Sequence, residues 1–391
     1  VVARWAPLRV RPSSGDLGPL PVIIGLAGIW IIFRLLNDRF LSPENLVNLA
    51  LQMAAVGTIA VGVVLVLLLG EIDLSVGSVS GLCAALFAVL SVRHGYNPAV
   101  AILLALIAAA AIGTLHGLLF AKLGVPSFVV TLSGLIGWQG LQLYVLKPEG
   151  TLNIPFNSNM SKISRTFLGE GAGYAVALLI VGVVVATSLI EMRRRQQADL
   201  PHKSISDIAV RSTALAVLAV VIVTVLNRDR GVPMPLLLLV AIVMTLQFIL
   251  RRTTFGRSVF AVGGNAEAAR RAGINVTRIR VTVFLMASTL TAIGGLLAAS
   301  RLSAVNQSSG GSDTLLNAIA AAVIGGTSLF GGRGSAYSAL LGILVIQSIS
   351  NGMFLLNKDS SVRFMITGIV LLTAVVIDTW SRRRSQGRLA S

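Results

Sequence analysis

The sequence predicts an all-α, polytopic membrane bundle of about 10–12 transmembrane segments with broken helices, forming one domain over residues 1–391. Three observations carry this. The mean hydropathy is +0.85. Hydrophobic residues make up 55% of the chain and charged residues only 12%, against ~25% charged in a soluble domain. The apolar residues are gathered into runs close to the ~20 residues needed to cross hydrocarbon.

In chain order the runs are 20–36, 46–69, 74–92, 98–121, 127–146, 174–190, 210–226, 235–250, 279–299, 314–330, 335–356 and 362–380. Several fall short of a full crossing, so half-length or re-entrant segments are expected among them. The first follows Arg4, Arg9 and Arg11 and has no small-residue cleavage site, so it reads as a retained span rather than a cleavable signal. The chain opens on Val1-Val2 with no methionine, which leaves its natural start open.

The spans divide the charge unequally. With residues 1–19 inside and the runs alternating, the inside segments collect 21 of the 32 Lys and Arg residues. These include Arg4, Arg9, Arg11, Lys122, Lys203, Arg211, Arg333, Arg382 and Arg388. Excess basic residues in short loops mark the cytoplasmic side. The tail 1–19, the linker 191–211, the loop 251–278 and the tail 381–391 are therefore expected there. Arg193-Arg194-Arg195 reads as a headgroup anchor at the lipid surface. Residues 147–173, rich in Gly, Asn and Ser, read as an outside loop with room for a short helix.

The net charge of +17 is accounted for by these loops. No basic stretch carries the aromatic interleaving or fold signal of a nucleic-acid surface. A single cysteine, Cys83, excludes an intrachain disulfide and a multi-cysteine metal site and reads as a small packed hydrophobe. His94, His116 and His202 are far apart, so no metal site is expected. Neither a nucleophile–base pair nor H-E-x-x-H stands out, and no enzyme activity is expected.

Two stretches echo each other. Leu69-Gly-Glu-Ile-Asp-Leu-Ser-Val-Gly-Ser-Val-Ser-Gly81 resembles Gly325-Gly-Thr-Ser-Leu-Phe-Gly-Gly-Arg-Gly-Ser-Ala-Tyr337, with a one-residue gap. Each follows an apolar run of the same direction and ends in Gly-Ser before the next. The echo reads as an internal repeat, with chance similarity of Gly-rich helix ends as the other reading. In the first stretch Glu71 and Asp73 are carboxylates at membrane depth, which must face protein, water or a helix N-terminus. Asp73, followed by Ser75, Gly77 and Ser78, reads as an N-cap opening the next helix. Direct contact with a polar substrate competes with that reading. A proton relay has no chain of buried partners visible in the sequence. Broken backbone of this kind places residues 69–78 beside a translocation path.

The loop 251–278 holds a surface element between apolar runs. Gly263-Gly264-Asn265 reads as a turn. Ala266-Glu-Ala-Ala-Arg-Arg-Ala272 reads as a two-turn helix, with Glu267 in its first turn, Arg270 and Arg271 in its last, and Gly273 as its stop. So short a helix is unstable alone and needs packing against its own bundle or a partner.

Glu267-Ala268-Ala269-Arg270-Arg271-Ala272-Gly273 reads as E-A-A-x3-G. It resembles the loop by which permease subunits of bacterial ABC importers engage their ATPases. The frame Phe255–Val276, together with Glu71-Ile-Asp-Leu-Ser-Val-Gly-Ser78, Ala322–Ser335 and Asn351-Gly-Met353, is similar to the monosaccharide branch of those permeases over residues 44–380. The length, the linker 191–211 and the stretch Asn227–Leu239 resemble the D-xylose permeases within that branch.

The resemblance implies a transport subunit in the bacterial plasma (inner) membrane, working beside a second permease subunit. A separate ATPase would hold ATP and Mg, and a periplasmic or lipoprotein binding protein would deliver the monosaccharide. No cofactor is expected on this chain, which has no G-x4-G-K-[ST] to cradle phosphates. Asn265, Glu267, Ala268, Ala269, Arg270, Arg271 and Gly273 are the implied coupling residues, with headgroup contact as the other reading of the two arginines. Asn48, Gln52, Trp138, Gln139, Gln142 and Asn317 are chemically suited to a sugar and equally suited to bonds between helices. The rival readings are a branched-chain amino acid ABC permease and an ion-coupled secondary transporter, for which only Glu71 and Asp73 could build the ion site.

Overall fold

The computed structural model describes residues 20–387 apart from Lys203. The tail 1–19 with Arg4, Arg9 and Arg11, and Arg388 at the other end, lie outside the described residues. Each expected apolar run contains a helix, though the run 314–330 is helical only to Ile324. In order, the helices are α1 Leu20–Leu36, α2 Pro43–Leu68, α3 Val76–Ala88 (continued by a π turn, Val89–Arg93), α4 Pro98–Leu123, α5 Ser127–Val145, a short α6 Asn159–Ile163, α7 Glu170–Gln197, α8 Ile205–Asn227, α9 Met234–Arg252, α10 Thr254–Gly264, α11 Ala266–Arg271, α12 Val276–Leu302, α13 Ser312–Ile324, α14 Ala336–Leu355 and α15 Ser360–Gly387. Among the described residues nine helices are long and apolar enough to cross a membrane, and α1, α13 and the apolar part of α15 are shorter.

Side-chain caps set the starts. The Ser42 hydroxyl accepts the Asn45 N–H with Pro43 in the first turn, Asn97 accepts from Ala99 ahead of α4, and Ser204 and Asp207 form a capping box on α8. Four short strands, β1 Thr151–Asn153, β2 Phe167–Leu168, β3 Val232–Pro233 and β4 Ala304–Asn306, tie loops together at one end of the bundle. β1 lies antiparallel to β4 and β2 to β3. The opposite end carries residues 251–275.

The packing follows composition. Helix α2 is apolar all round, which suits a helix enclosed by others, and 89% of its spanning window is buried. Helix α12 packs along α2, α3 and α4, with the Phe120 and Phe284 rings 5.8 Å apart. Helices α7 and α8 pack chiefly on each other, and only 11% of each spanning window is buried. That leaves Leu178, Leu179, Val217 and Val221 exposed, as lipid-facing residues are.

Three expectations need correction. The linker 191–211 shrinks to residues 198–204, because α7 runs on to Gln197 and α8 starts at Ile205; Glu191 holds the α7 extension through Arg195 and Arg252. Residues 381–387 of the expected tail are helical, continuing α15 to Gly387. The stretch before Asn265 is not a turn: residues 254–264 form α10, capped by Thr253 accepting from the Gly256 N–H. Gly263 and Gly264 keep ordinary negative φ, and Asn265 is extended at φ −161°.

Candidate coupling and translocation site

Helix α11 stands at the loop end on a short, fully determined scaffold. Asn265 Oδ1 accepts the Ala268 N–H at 2.9 Å. Gly273 N–H donates to Arg270 O and Ile274 N–H to Ala269 O, both at 3.0 Å, the paired bonds of a Schellman stop. That stop requires a left-handed residue, and Gly273 has φ +84°. The side chain of Ala269 is buried against the bundle and Ala266 packs on the core. Glu267 faces out and holds both Arg270 Nη1 at 2.7 Å and Arg271 Nε at 3.3 Å. The helix thus presents one carboxylate and two guanidinium groups to solvent on a rigid base.

Helix α10 fixes that base to the bundle. A Cβ on Gly263 would stand 1.8 Å from Leu68 O at the end of α2. The same Leu68 carbonyl accepts the Gly332 N–H at 2.9 Å, and a Cβ on Gly331 would lie 2.5 Å from Gly263 O. The two echoing loops also meet, since Phe330 O is 3.2 Å from where a Gly70 Cβ would be. Helix α10, the end of α2 and both echoes therefore converge in close backbone-to-backbone contacts.

A second link runs through α12. Asn275 caps it by accepting from Arg278 N–H at 2.9 Å. One turn on, Arg280 lies over the Phe120 ring at 4.4 Å and places Nη2 3.7 Å from Glu71 Oε1. Glu71 Oε2 accepts from the Ser127 hydroxyl at 2.6 Å. Glu71 thus joins the first echo to α12 and to the start of α5. Burial pushes its carboxyl above the usual range, opposed by the Ser127 bond and by Arg280. The ionised form is the one that pairs with Arg280, so protonation as pH falls releases the link. Ser127→Ala removes an interaction that lowers the pKa, and the acid limb of the uptake–pH profile is expected to move to higher pH.

Asp73 does not cap α3. The N-cap is Ser75, and Asp73 Oδ1 accepts both the Ser75 N–H at 2.8 Å and its hydroxyl at 2.6 Å. The loop needs two more residues than a capping position allows. Beyond it runs the chain of buried partners that the sequence did not show. Ser75 Oγ is 3.5 Å from His116 Nδ1, and His116 Nε2 accepts from the indole N–H of Trp138 at 3.0 Å. Since indole only donates, His116 is neutral with its proton on Nδ1, facing Ser75. Asp73 is 4% exposed and its Oδ2 has no partner among the described residues. Gly77 and Ser78 continue into buried α3, with the Ser78 hydroxyl donating to Ser75 O.

The remaining polar candidates are dispersed. Asn48 accepts from Arg230 at 2.8 Å. Gln142 is buried and donates to Asn306 O and Ser309 O at 3.1 and 2.9 Å. Gln139 is exposed on α5, and Gln52 and Asn317 are half-buried on α2 and α13. Only Trp138 joins, through His116, the loop 69–78 that carries the Glu71–Ser78 signature (the signature loop). Gln142→Leu would remove the donor to the Asn306 and Ser309 carbonyls, at about 1–3 kcal/mol for each carbonyl that water does not reach. A melting temperature several degrees lower in detergent is expected. Arg280, Ser127 and His116 were missed in the sequence; an Arg one turn inside an apolar run was the available signal. Among the described residues no His, Cys, Asp or Glu cluster could hold a metal.

The helical bundle suits a membrane-embedded permease, and comparison with known proteins agrees. Residues 45–375 match the family described as branched-chain amino acid transport system / permease component, and the chain belongs to that family. It is 36% identical over 383 residues to the xylose transport system permease protein of Escherichia coli (strain K12), covering 96% of this chain and 97% of that protein. The xylose transport system permease protein of Haemophilus influenzae is 35% identical, over 95% and 99% of the two chains. The ribose import permease protein of Bacillus subtilis (strain 168) is 33% identical, over 93% and 94%. No solved structure matches. The chain is a multi-pass membrane protein with a transport role.

Proposed function

We propose that this chain is the translocating subunit of an ATP-driven sugar importer and that its cargo is D-xylose. The observation that carries the reading is the nearly full-length similarity to sugar permeases, joined to an exposed helix whose buried side is built into the bundle. Two copies form the pore in a bacterial plasma membrane, with N- and C-termini in the cytoplasm. The loop end faces inward, and the strand end receives sugar from an extracytoplasmic binding protein. A separate ATPase holds ATP and Mg and docks on α11 through Asn265, Glu267, Arg270, Arg271 and Gly273. Closure of the ATPases moves α11, and the motion reaches the signature loop through Gly263 and through Arg280–Glu71.

The family's description names branched-chain amino acids, and a permease for such zwitterions is the second reading. Proteoliposomes holding this chain with its ATPase and binding protein decide between them. ATP-dependent uptake of labelled D-xylose is expected. Uptake driven by an ion gradient without ATP, or uptake of leucine in place of sugar, would overturn the proposal. Glu267→Arg sets three cations side by side where the ATPase docks. A loss of at least tenfold in ATP-coupled uptake with unchanged membrane insertion is expected.

A further inference from the structure

The chain breaks within the bundle after α12. Ser303 takes a left-handed φ of +50°, β4 follows, and residues 307–311 then run without helix to α13, which is only 13 residues long. Asn306, Gln307 and Ser308 are exposed, and the segment then reaches in against α3 at Ser309 and Gly310. A Cβ on Gly81 would stand 2.0 Å from Ser309 O, and one on Gly77, in the first turn of α3, 2.6 Å from Gly310 O. Non-helical backbone at membrane depth persists only where protein covers it or it lines a cavity. Both conditions hold here. Gln142 covers two of its carbonyls, and its other side borders a cavity of about 260 Å³ between α2, α3 and α12.

The lining of this cavity is selective. Ser80, Asn306, Ser308 and Thr314 bring hydroxyl and amide groups, and Ala84, on the same face of α3 as Ser80, and Ala298 of α12 add apolar lining. No Lys, Arg, Asp, Glu or His lines it. The Ser80 hydroxyl donates to Gly77 O, which leaves its oxygen free to accept. The Asn306 oxygen already accepts from Ser308 N–H and from the Ser309 hydroxyl, so its amide NH2 remains to donate. A zwitterion would bring two charges against a lining that offers no counter-charge to pair them. A neutral polyol needs what is present: hydrogen-bond donors and acceptors beside apolar lining. A cavity of ~150 Å³ holds benzene, so this one has room for a sugar ring with its hydroxyls.

We propose that this cavity is a station for a neutral monosaccharide inside the permease, with Ser80, Asn306 and Thr314 meeting sugar hydroxyls and Ala84 and Ala298 facing the ring. It rests on the reading of the chain as a sugar importer and adds to it the site and the basis for rejecting zwitterions.

Two variants test it. In a Cys83→Ala background, Ala298→Cys places a thiol on the wall. Labelling by a small thiol reagent is expected to slow at least threefold in D-xylose at tens of millimolar and to be unchanged in leucine. In proteoliposomes with the ATPase and binding protein, Ala298→Leu is expected to lower D-xylose uptake at least tenfold while ATP hydrolysis continues. Labelling that D-xylose leaves unchanged, or wild-type uptake by Ala298→Leu, would overturn the site while wild-type D-xylose uptake keeps the functional reading. Wild-type proteoliposomes that carry leucine and no sugar would overturn the functional reading itself.

Discussion

Arg280→Glu is expected to abolish ATP-coupled uptake, and the exchange Glu71→Arg with Arg280→Glu to restore part of it. Arg280 and Glu71 each keep only about a fifth of their exposure, 22% and 20%. Removing one partner of a buried pair costs about 3–5 kcal/mol, and partial exposure puts this pair toward the lower figure. Charge reversal replaces the attraction that Arg280 Nη2 makes with Glu71 at 3.7 Å by repulsion between two carboxylates. Residue 71 then loses its ion-pair link to the first turns of α12, although Ser80 still packs on Gly295 and α12 still follows α11 through the Asn275 cap. ATP hydrolysis should continue without transport. The exchange restores the attraction but places a guanidinium beside the Ser127 hydroxyl, itself a donor to Glu71, and a carboxylate over the Phe120 ring face, so recovery stays incomplete. Full uptake by Arg280→Glu alone would show that the link carries nothing.

Most of the architecture could be read from composition, because lipid-exposed backbone must satisfy its hydrogen bonds internally, as a helix does, and apolar runs then mark the long helices. That the run 314–330 holds only the 13-residue α13 was not legible, because residues 325–330 continue the uncharged run without helix. Nor was helix α10, because Gly263-Gly264-Asn265 carries the local chemistry of a turn. What makes it helical is tertiary: α10 must pass against Leu68 O and Gly331–Gly332 more closely than a Cβ permits, so glycine serves approach rather than positive φ. Asp73 misled in a similar way. An Asp ahead of an apolar run looks like an N-cap, yet Ser75 intervenes and turns the carboxylate toward a serine–histidine–indole chain drawn from α4 and α5. Spacing along one segment does not reveal partners on helices 41 residues away. The echo was readable as similarity, and the structure shows why the two copies sit where they do: Gly70 and Gly332 dock the loops on each other and on the end of α2.

The adjacent glycines of α10 should behave oppositely. Gly263→Ala is expected to lower thermal stability and cut uptake at least tenfold; Gly264→Ala should do neither. At Gly263 the added methyl would lie 1.8 Å from a backbone oxygen and 2.9 Å from Gly332 N, and neither atom can rotate away. Overpacking of this kind costs about 1–3 kcal/mol where side chains can adjust; here α10 must lift as a body. Lifting α10 breaks its seat against Leu68 and Gly331 and carries α11 with it, so the ATPase would move a helix no longer seated on the bundle. Gly264 has open space around its Cβ position and helical backbone without positive φ. Alanine there recovers about 0.5–1 kcal/mol of backbone entropy, so stability should hold or rise. Equal effects of the two substitutions on uptake would locate the requirement in the flexibility of the pair. A loss confined to Gly263→Ala locates it in the contact between α10 and the end of α2.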